Sequence, residues 1–251
     1  MEAFFFRPPI VFLITVVTLL AAGWLGSWLR RKVSLDEKQR EDFSLVLAST
    51  LTLLGLLIGF SFSMASNRYD QRKNLEEAEA NAIGTEYVRA DLLPAADRDR
   101  VRALLKQYLD LRIRFYAAAP DGLAKINADV ARLQNDLWSA VTGPALQKPD
   151  PVVALAVAGM NDVLNAQGYT QAAWWNHVPL SAAALMAGIA FMCSVLIGYG
   201  ARAAPLHSRL LLILPLFVAL AFALIVDIDA PRLGFVKVVP QNLLALQESL
   251  K

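Results

Sequence analysis

Asp227 and Asp229 stand two residues apart in the string Asp227-Ile228-Asp229-Ala230-Pro231-Arg232, directly after the uncharged run Leu210–Val226. Carboxylates at membrane depth are expensive and normally pair or face a cavity. Three chemistries fit them: part of an acidic ring at a pore mouth, an ion pair with Arg232 or a loop arginine, or a marker of the membrane interface. An Asp-x-Asp pair also suits a divalent metal, but no phosphate-cradling glycine loop accompanies it, so no metal site is expected. A second set of polar residues lies in the uncharged run Phe43–Asn67, where Ser49, Thr52, Gly59, Ser63 and Asn67 recur at steps of 3, 7, 4 and 4. That spacing places them on one helix face, and a lipid-facing helix has no use for such a face. It either admits another helix closely, as Gly55-x-x-x-Gly59-x-x-x-Ser63 would, or it lines water. Ala190, Ser194 and Gly198 repeat the pattern in a later run, where helix packing is expected.

Other chemistry finds no carrier. The two histidines, His177 and His207, lack ligand spacing, and the single Cys193 excludes a disulfide framework. No Ser/His/Asp arrangement, phosphate loop or dinucleotide loop appears, so no catalytic residue and no cofactor are expected. The run Asp97-Arg98-Asp99-Arg100 reads as a solvated helix start. With 24 basic against 22 acidic residues the net charge is +2, which makes no case for nucleic acid.

The elements that must position the polar residues follow from hydropathy. Hydrophobic residues make up 56% of the 251 residues and charged ones only 18%, against roughly 25% charged in an average globular chain. The shortfall is concentrated in four uncharged runs, Pro8–Leu29, Phe43–Asn67, Val163–Ala201 and Leu210–Val226, of 22, 25, 39 and 17 residues. A spanning helix needs about 20 apolar residues. The first two runs fit directly. The third begins with a polar half, which places its span at 178–201; the fourth is short and contains Pro215, so it spans only with tilt or local thinning. Four crossings are expected, with the bilayer as the surrounding partner. The first run reads as a retained anchor and not a secretory signal, because it is long and is followed by Arg30-Arg31-Lys32. Trp24 and Trp28, and Trp174 and Trp175, sit near span ends as interfacial anchors. The flanking basic residues divide seven to seven, so the positive-inside rule does not orient the chain.

Residues 68–162 hold 13 basic and 14 acidic residues and are helical in period. Val101, Leu104, Tyr108, Leu111, Phe115 and Ala118 form one stripe; Leu123, Ile126, Val130, Leu133, Leu137 and Val141 form another. Asp97 and Asp121 are expected to cap these helices, and Pro94, Pro120, Gly143-Pro144 and Pro149 to punctuate them. A third helix covers about 151–175. From Ser44 to Leu93 there is no proline, so the second crossing is expected to continue out of the bilayer as one helix, with a hinge near Asn67–Asp70 as the alternative. The expected organisation is all-α: a first transmembrane pair in 1–67, a soluble helical domain in 68–177 continuous with the second crossing, a second transmembrane pair in 178–228, and a tail in 229–251.

Several strings resemble the bacterial bestrophin-like domain family: Ile58-Gly59-Phe60-Ser61-Phe62-Ser63, Asn67-Arg68-Tyr69-Asp70-Gln71-Arg72, Asn81-Ala82-Ile83-Gly84-Thr85, Arg89-Ala90-Asp91-Leu92-Leu93-Pro94, and Asp227-x-Asp229-x-Pro231-Arg232-x-Gly234. The resemblance covers roughly 45–94 and 180–240. It implies a pentameric ion channel with four main crossings, a pore lined by the second, and a cytosolic helical domain between crossings two and three. It therefore implies the inner membrane as location, with 68–177 cytoplasmic, a homo-oligomer, and inorganic ions as partners. Phe60 and Phe62 become candidates for the aromatic neck of such a pore. The chain departs from the animal members in lacking an acidic run after Asp229, so calcium is not implied. The expected function is an oligomeric, channel-like protein. The alternative is a membrane-tethered sensor or scaffold whose helical bundle binds a partner.

Overall fold

The computed structural model describes residues 7–33, 35–201, 209–232 and 234–251, and every regular element among them is helical. Helix α1 (Pro8–Lys32) begins on two prolines, which suit the first turn because the N–H groups there lack partners anyway. It ends on Arg30, Arg31 and Lys32, whose charge complements the helix C-terminus. Helix α2 (Glu37–Arg89) starts from a reciprocal cap. Asp36 accepts the Gln39 N–H at 2.8 Å, and the Gln39 side chain accepts the Asp36 N–H at 3.1 Å. It then runs unbroken for 53 residues. Asn67 and Asp70 both lie within the helix.

A 3₁₀ turn (Ala90–Leu92) precedes Pro94, and α3 (Ala95–Ala117) starts directly after it. Asp97 is therefore not the cap; it lies in the first turn, where a negative charge still favours the helix N-terminus. Asp121 likewise falls in a 3₁₀ turn (Pro120–Gly122) ahead of α4 (Leu123–Gln147) and makes no capping bond. Pro144 does not end α4, which continues past it to Gln147. The side-chain cap is Asp150, which accepts the Val152 N–H at 2.7 Å and opens α5 (Pro151–Trp175). Then follow α6 (Leu180–Gly200), α7 (Ile213–Asp229) and a short α8 (Gln241–Ser249). Pro215 falls in the first turn of α7, where proline is tolerated.

Three stretches among the described residues are long and apolar enough to cross a membrane: Pro8–Lys32, Glu37–Leu92 and Pro151–Gly200, the last containing the uncharged α6. The 17 residues of α7 sit at the lower limit of spanning length.

The chain divides into two compact units, Met1–Arg68 with His177–Lys237, and Tyr69–Asn176 with Val238–Lys251. The membrane unit packs around Leu19, Leu54, Ala190, Cys193 and Val218, one or more residues from each of α1, α2, α6 and α7. Helices α1 and α6 approach until their backbones touch. A Cβ on Gly198 would collide with the Gly23 carbonyl oxygen, and one on Gly26 with that of Val195. Ser27 Oγ reaches the carbonyls of Gly23 at 3.0 Å and Gly198 at 3.2 Å across this contact, the hydroxyl glue expected of close membrane helices.

The helical unit buries Val101, Leu105, Tyr108, Leu109 and Phe115 of α3, and Val130, Leu137, Ala140 and Val141 of α4. The core line of α3 is rotated from the expected stripe: Leu104 and Leu111 are only half-buried, while Leu105, Leu109 and Arg112 face inward. The reason is Arg112, which the core admits because Glu79 awaits it. Their ion pair is fully buried, with Arg112 Nη2 donating to Glu79 Oε2 at 3.2 Å and Thr170 Oγ1 donating to the same oxygen at 3.1 Å. Phe115, Tyr116 and Trp174 stack edge to face beside the pair, with centroids 5.2 to 5.6 Å apart. Two turns earlier on α2, the buried Arg72 donates to the carbonyls of Ala173 (3.2 Å) and Asn176 (3.0 Å). Glu76 accepts the Leu243 N–H at 2.9 Å and the Asn242 side chain at 2.7 Å, so a carboxylate of α2 caps α8.

Candidate functional site

In the membrane unit α2 has two faces. Leu54, Ser61 and Ala65 are buried, and Leu51 and Ile58 pack against the core. Ser49, Thr52, Gly59, Ser63 and Asn67 are all exposed. Projected at 3.6 residues per turn, the two rows lie roughly 160° apart. A single chain therefore turns its polar row directly away from its own core. Gly55 and Gly59 have open space where a Cβ would stand. The row on α6 is the reverse, with Ala190, Ser194 and Gly198 all buried. The sequence spacing does bring the α2 residues together on one face, and nothing from the same chain covers that face among the described residues.

Phe60 is 60% and Phe62 41% exposed. By the same projection they stand on opposite flanks of the polar row, Phe60 roughly 60° and Phe62 roughly 100° from its centre. Thr52 Oγ1 donates to the Ala48 carbonyl at 2.9 Å. Its proton is thus engaged within the helix, and the oxygen's lone pairs remain for whatever meets the face.

The acidic pair at the end of α7 has different surroundings. Asp227 is buried, and its two carboxylate oxygens accept backbone N–H groups, Oδ1 from Phe235 at 2.5 Å and Oδ2 from Val236 at 3.0 Å. The loop after α7 can fold back this far only because residue 234 is glycine, since a Cβ there would lie 2.5 Å from the Asp227 carboxylate. Asp229 accepts the Val178 N–H at 3.0 Å and stands 3.4 Å from His177 Nδ1, whose ring also lies 3.1 Å from the Asp229 carbonyl oxygen. Arg232 is half-buried in the turn that follows Asp229. The string from Asp227 to Gly234 thus ties the end of α7 to the start of the 178–200 segment and to the tail.

One group in the helical unit escaped the sequence reading. Glu86, well beyond the uncharged run of α2, is fully buried, and neither carboxylate oxygen has a hydrogen-bond partner among the described residues. Burial raises its pKa from 4.5 to about 8, against the pull of Arg89 and with some help from Asp162. Its protonated form is thereby favoured at neutral pH. Gly159 of α5 makes the room, because a Cβ there would meet Glu86 Oε2 and Arg89. The only sequence signal was its phase: Arg72, Glu76, Glu79 and Glu86 follow at steps of 4, 3 and 7, the spacing of a buried face carried by charged residues.

The bestrophin-like domain family model matches residues 17–243. Among solved structures, two variants of a bacterial bestrophin homologue from Klebsiella pneumoniae are similar in fold. One is 15% identical with a TM-score of 0.63, covering 94% of this chain and 98% of that one. The other is also 15% identical with a TM-score of 0.64, covering 97% of each chain. A structure described only as a membrane protein is 14% identical, with a TM-score of 0.64 and 95% coverage of both chains. No curated protein matches.

Proposed function

The chain belongs to the bestrophin-like domain family, and from that premise we propose that it assembles as a homo-oligomer that conducts ions along the polar face of α2. In this reading α7 completes four crossings of the inner membrane, and the helical domain 68–177 stands in the cytoplasm. The carrying observation is the exposure of Ser49, Thr52, Gly59, Ser63 and Asn67 opposite the buried row of the same helix. Hydroxyls and bare glycine backbone are poorly suited to hydrocarbon. The chain's own α6 does not cover them, as a scaffold would require, so they meet water or a second copy. Around a shared axis they form a wet lining of hydroxyl oxygens.

Phe60, nearer the row than Phe62, is the aromatic that narrows such a lining. Asp227 and Asp229 enter as anchors of the turn, because backbone N–H groups hydrogen-bond both carboxylates. Two measurements test the reading. Mass determination in detergent should give an oligomer, and planar bilayers should carry current that Ser63→Leu reduces. A monomer, or a folded oligomer that passes no current, overturns conduction; the second outcome favours the membrane-tethered scaffold.

A further inference from the structure

The end of α1, the start of α2 and the end of α6 enclose a cleft of about 290 Å³ lined by Arg30, Leu35, Arg40, Phe43, Tyr199 and Gly200. Its two cations have no acidic partner: neither Arg30 nor Arg40 takes part in an ion pair among the described residues. Asp36 Oδ1 accepts the Gln39 N–H, and no ion pair joins Asp36 to Arg30 or Arg40 among the described residues. Arg30 donates one N–H to the Ala201 carbonyl at the end of α6. A guanidinium has five N–H donors, so most of its capacity remains.

The cleft is built, not incidental. The Asp36–Gln39 cap fixes the turn before Arg40. Tyr199 Oη donates to the Val33 carbonyl at 3.0 Å, and its ring stands 5.6 Å from that of Phe43. Gly200 leaves room for the Phe43 ring, which a Cβ there would meet at 2.9 Å. Within two turns before Arg30, Trp24 and Trp28 are exposed, and Lys32 Nζ lies 4.2 Å from the centre of the Trp28 ring. Exposed tryptophans beside lysine and arginine mark headgroup depth.

Two guanidiniums without an ion pair among the described residues, beside aromatic and aliphatic side chains at that depth, match one ligand chemistry. We propose that the cleft binds a phosphate-bearing anion, with Arg30 and Arg40 on the phosphate oxygens and Leu35, Phe43 and Tyr199 against the apolar part of its carrier. Basic pockets between membrane helices hold lipid headgroups in this way. The site needs no conduction, and it stands under either reading of function.

The test is native mass spectrometry of the full chain with phosphatidylglycerol or phosphatidylcholine added, beside thermal unfolding in sodium phosphate against sodium chloride. The expected result is preferential retention of phosphatidylglycerol, about tenfold weaker in Arg40→Gln, partly restored in Arg40→Lys and unchanged in Arg31→Gln. Arg40 makes no tertiary hydrogen bond among the described residues, so its loss does not endanger folding as Arg30→Gln does. Protection by inorganic phosphate that vanishes in Arg40→Gln also supports the site and assigns the free anion as its ligand. Equal retention of both lipids without any phosphate response, or retention of phosphatidylglycerol that Arg40→Gln leaves intact, overturns it.

Discussion

In the membrane unit α2 turns Ser49, Thr52, Ser63 and Asn67 outward and buries Leu54 and Ala65. In the helical unit the same helix buries Arg72, Glu76, Glu79 and Glu86 and leaves Val88 65% exposed. One helix thus carries polar residues to opposite destinations. The difference lies in the partners supplied. Arg112, Thr170, Asn242 and the backbone of α5 and α8 satisfy most of the buried charges, which is what makes their burial affordable. No such partner meets the exposed row of the membrane stretch among the described residues of one chain. A polar row on a helix therefore reports a need for partners, which the fold itself supplies in the helical unit.

Gly198→Leu should break the membrane unit itself. Its side chain has no space against the Gly23 backbone, so no folded protein is expected in detergent, judged by size exclusion. Folded Gly198→Leu protein would mean that the α1–α6 contact is looser than described. Next in size is Glu79→Gln, which leaves Arg112 charged and buried without its counter-ion. Removing one partner of such a pair destabilises by about 3–5 kcal/mol, seen as a large fall in the thermal midpoint.

Glu86 sharpens the comparison through pH. Its pKa rises from 4.5 to about 8 in the folded chain because of burial. Between these values the folded state keeps a proton that the unfolded state has lost, so stability falls as pH rises through this window and levels off above about 8. Glu86→Gln should flatten that slope in unfolding measured from pH 5 to 9. An unchanged slope would show that another group titrates. The smallest effect on stability is expected at the open row: Ser63→Leu should stay within about 0.5 kcal/mol, while oligomer mass or current changes. A loss of stability equal to that of Glu79→Gln would show the row to be packed after all.

The all-helical architecture was legible because apolar runs, proline breaks and the 3.6-residue period are local properties. The placement of Ser49, Thr52, Gly59 and Ser63 on one face was legible for the same reason. Helix starts were less so: a cap depends on which residue first leaves the extended backbone, and Pro94 and Gly122 moved that point away from Asp97 and Asp121.

Local sequence was enough for the long helices and for the residues that share a face, since both depend on neighbours a few positions away. It did not announce α8 in the tail, and of the four expected crossings three stretches are long and apolar enough among the described residues. The tertiary structure alone decided which of two similar small-residue rows is filled. It also decided that Arg112 finds Glu79 across 33 positions, that Asp227 is held by its own tail, and that Arg30 and Arg40 share a cleft. Those outcomes depend on which groups meet across the fold, and charge or hydrogen-bond satisfaction at a distance leaves no periodic trace in the chain.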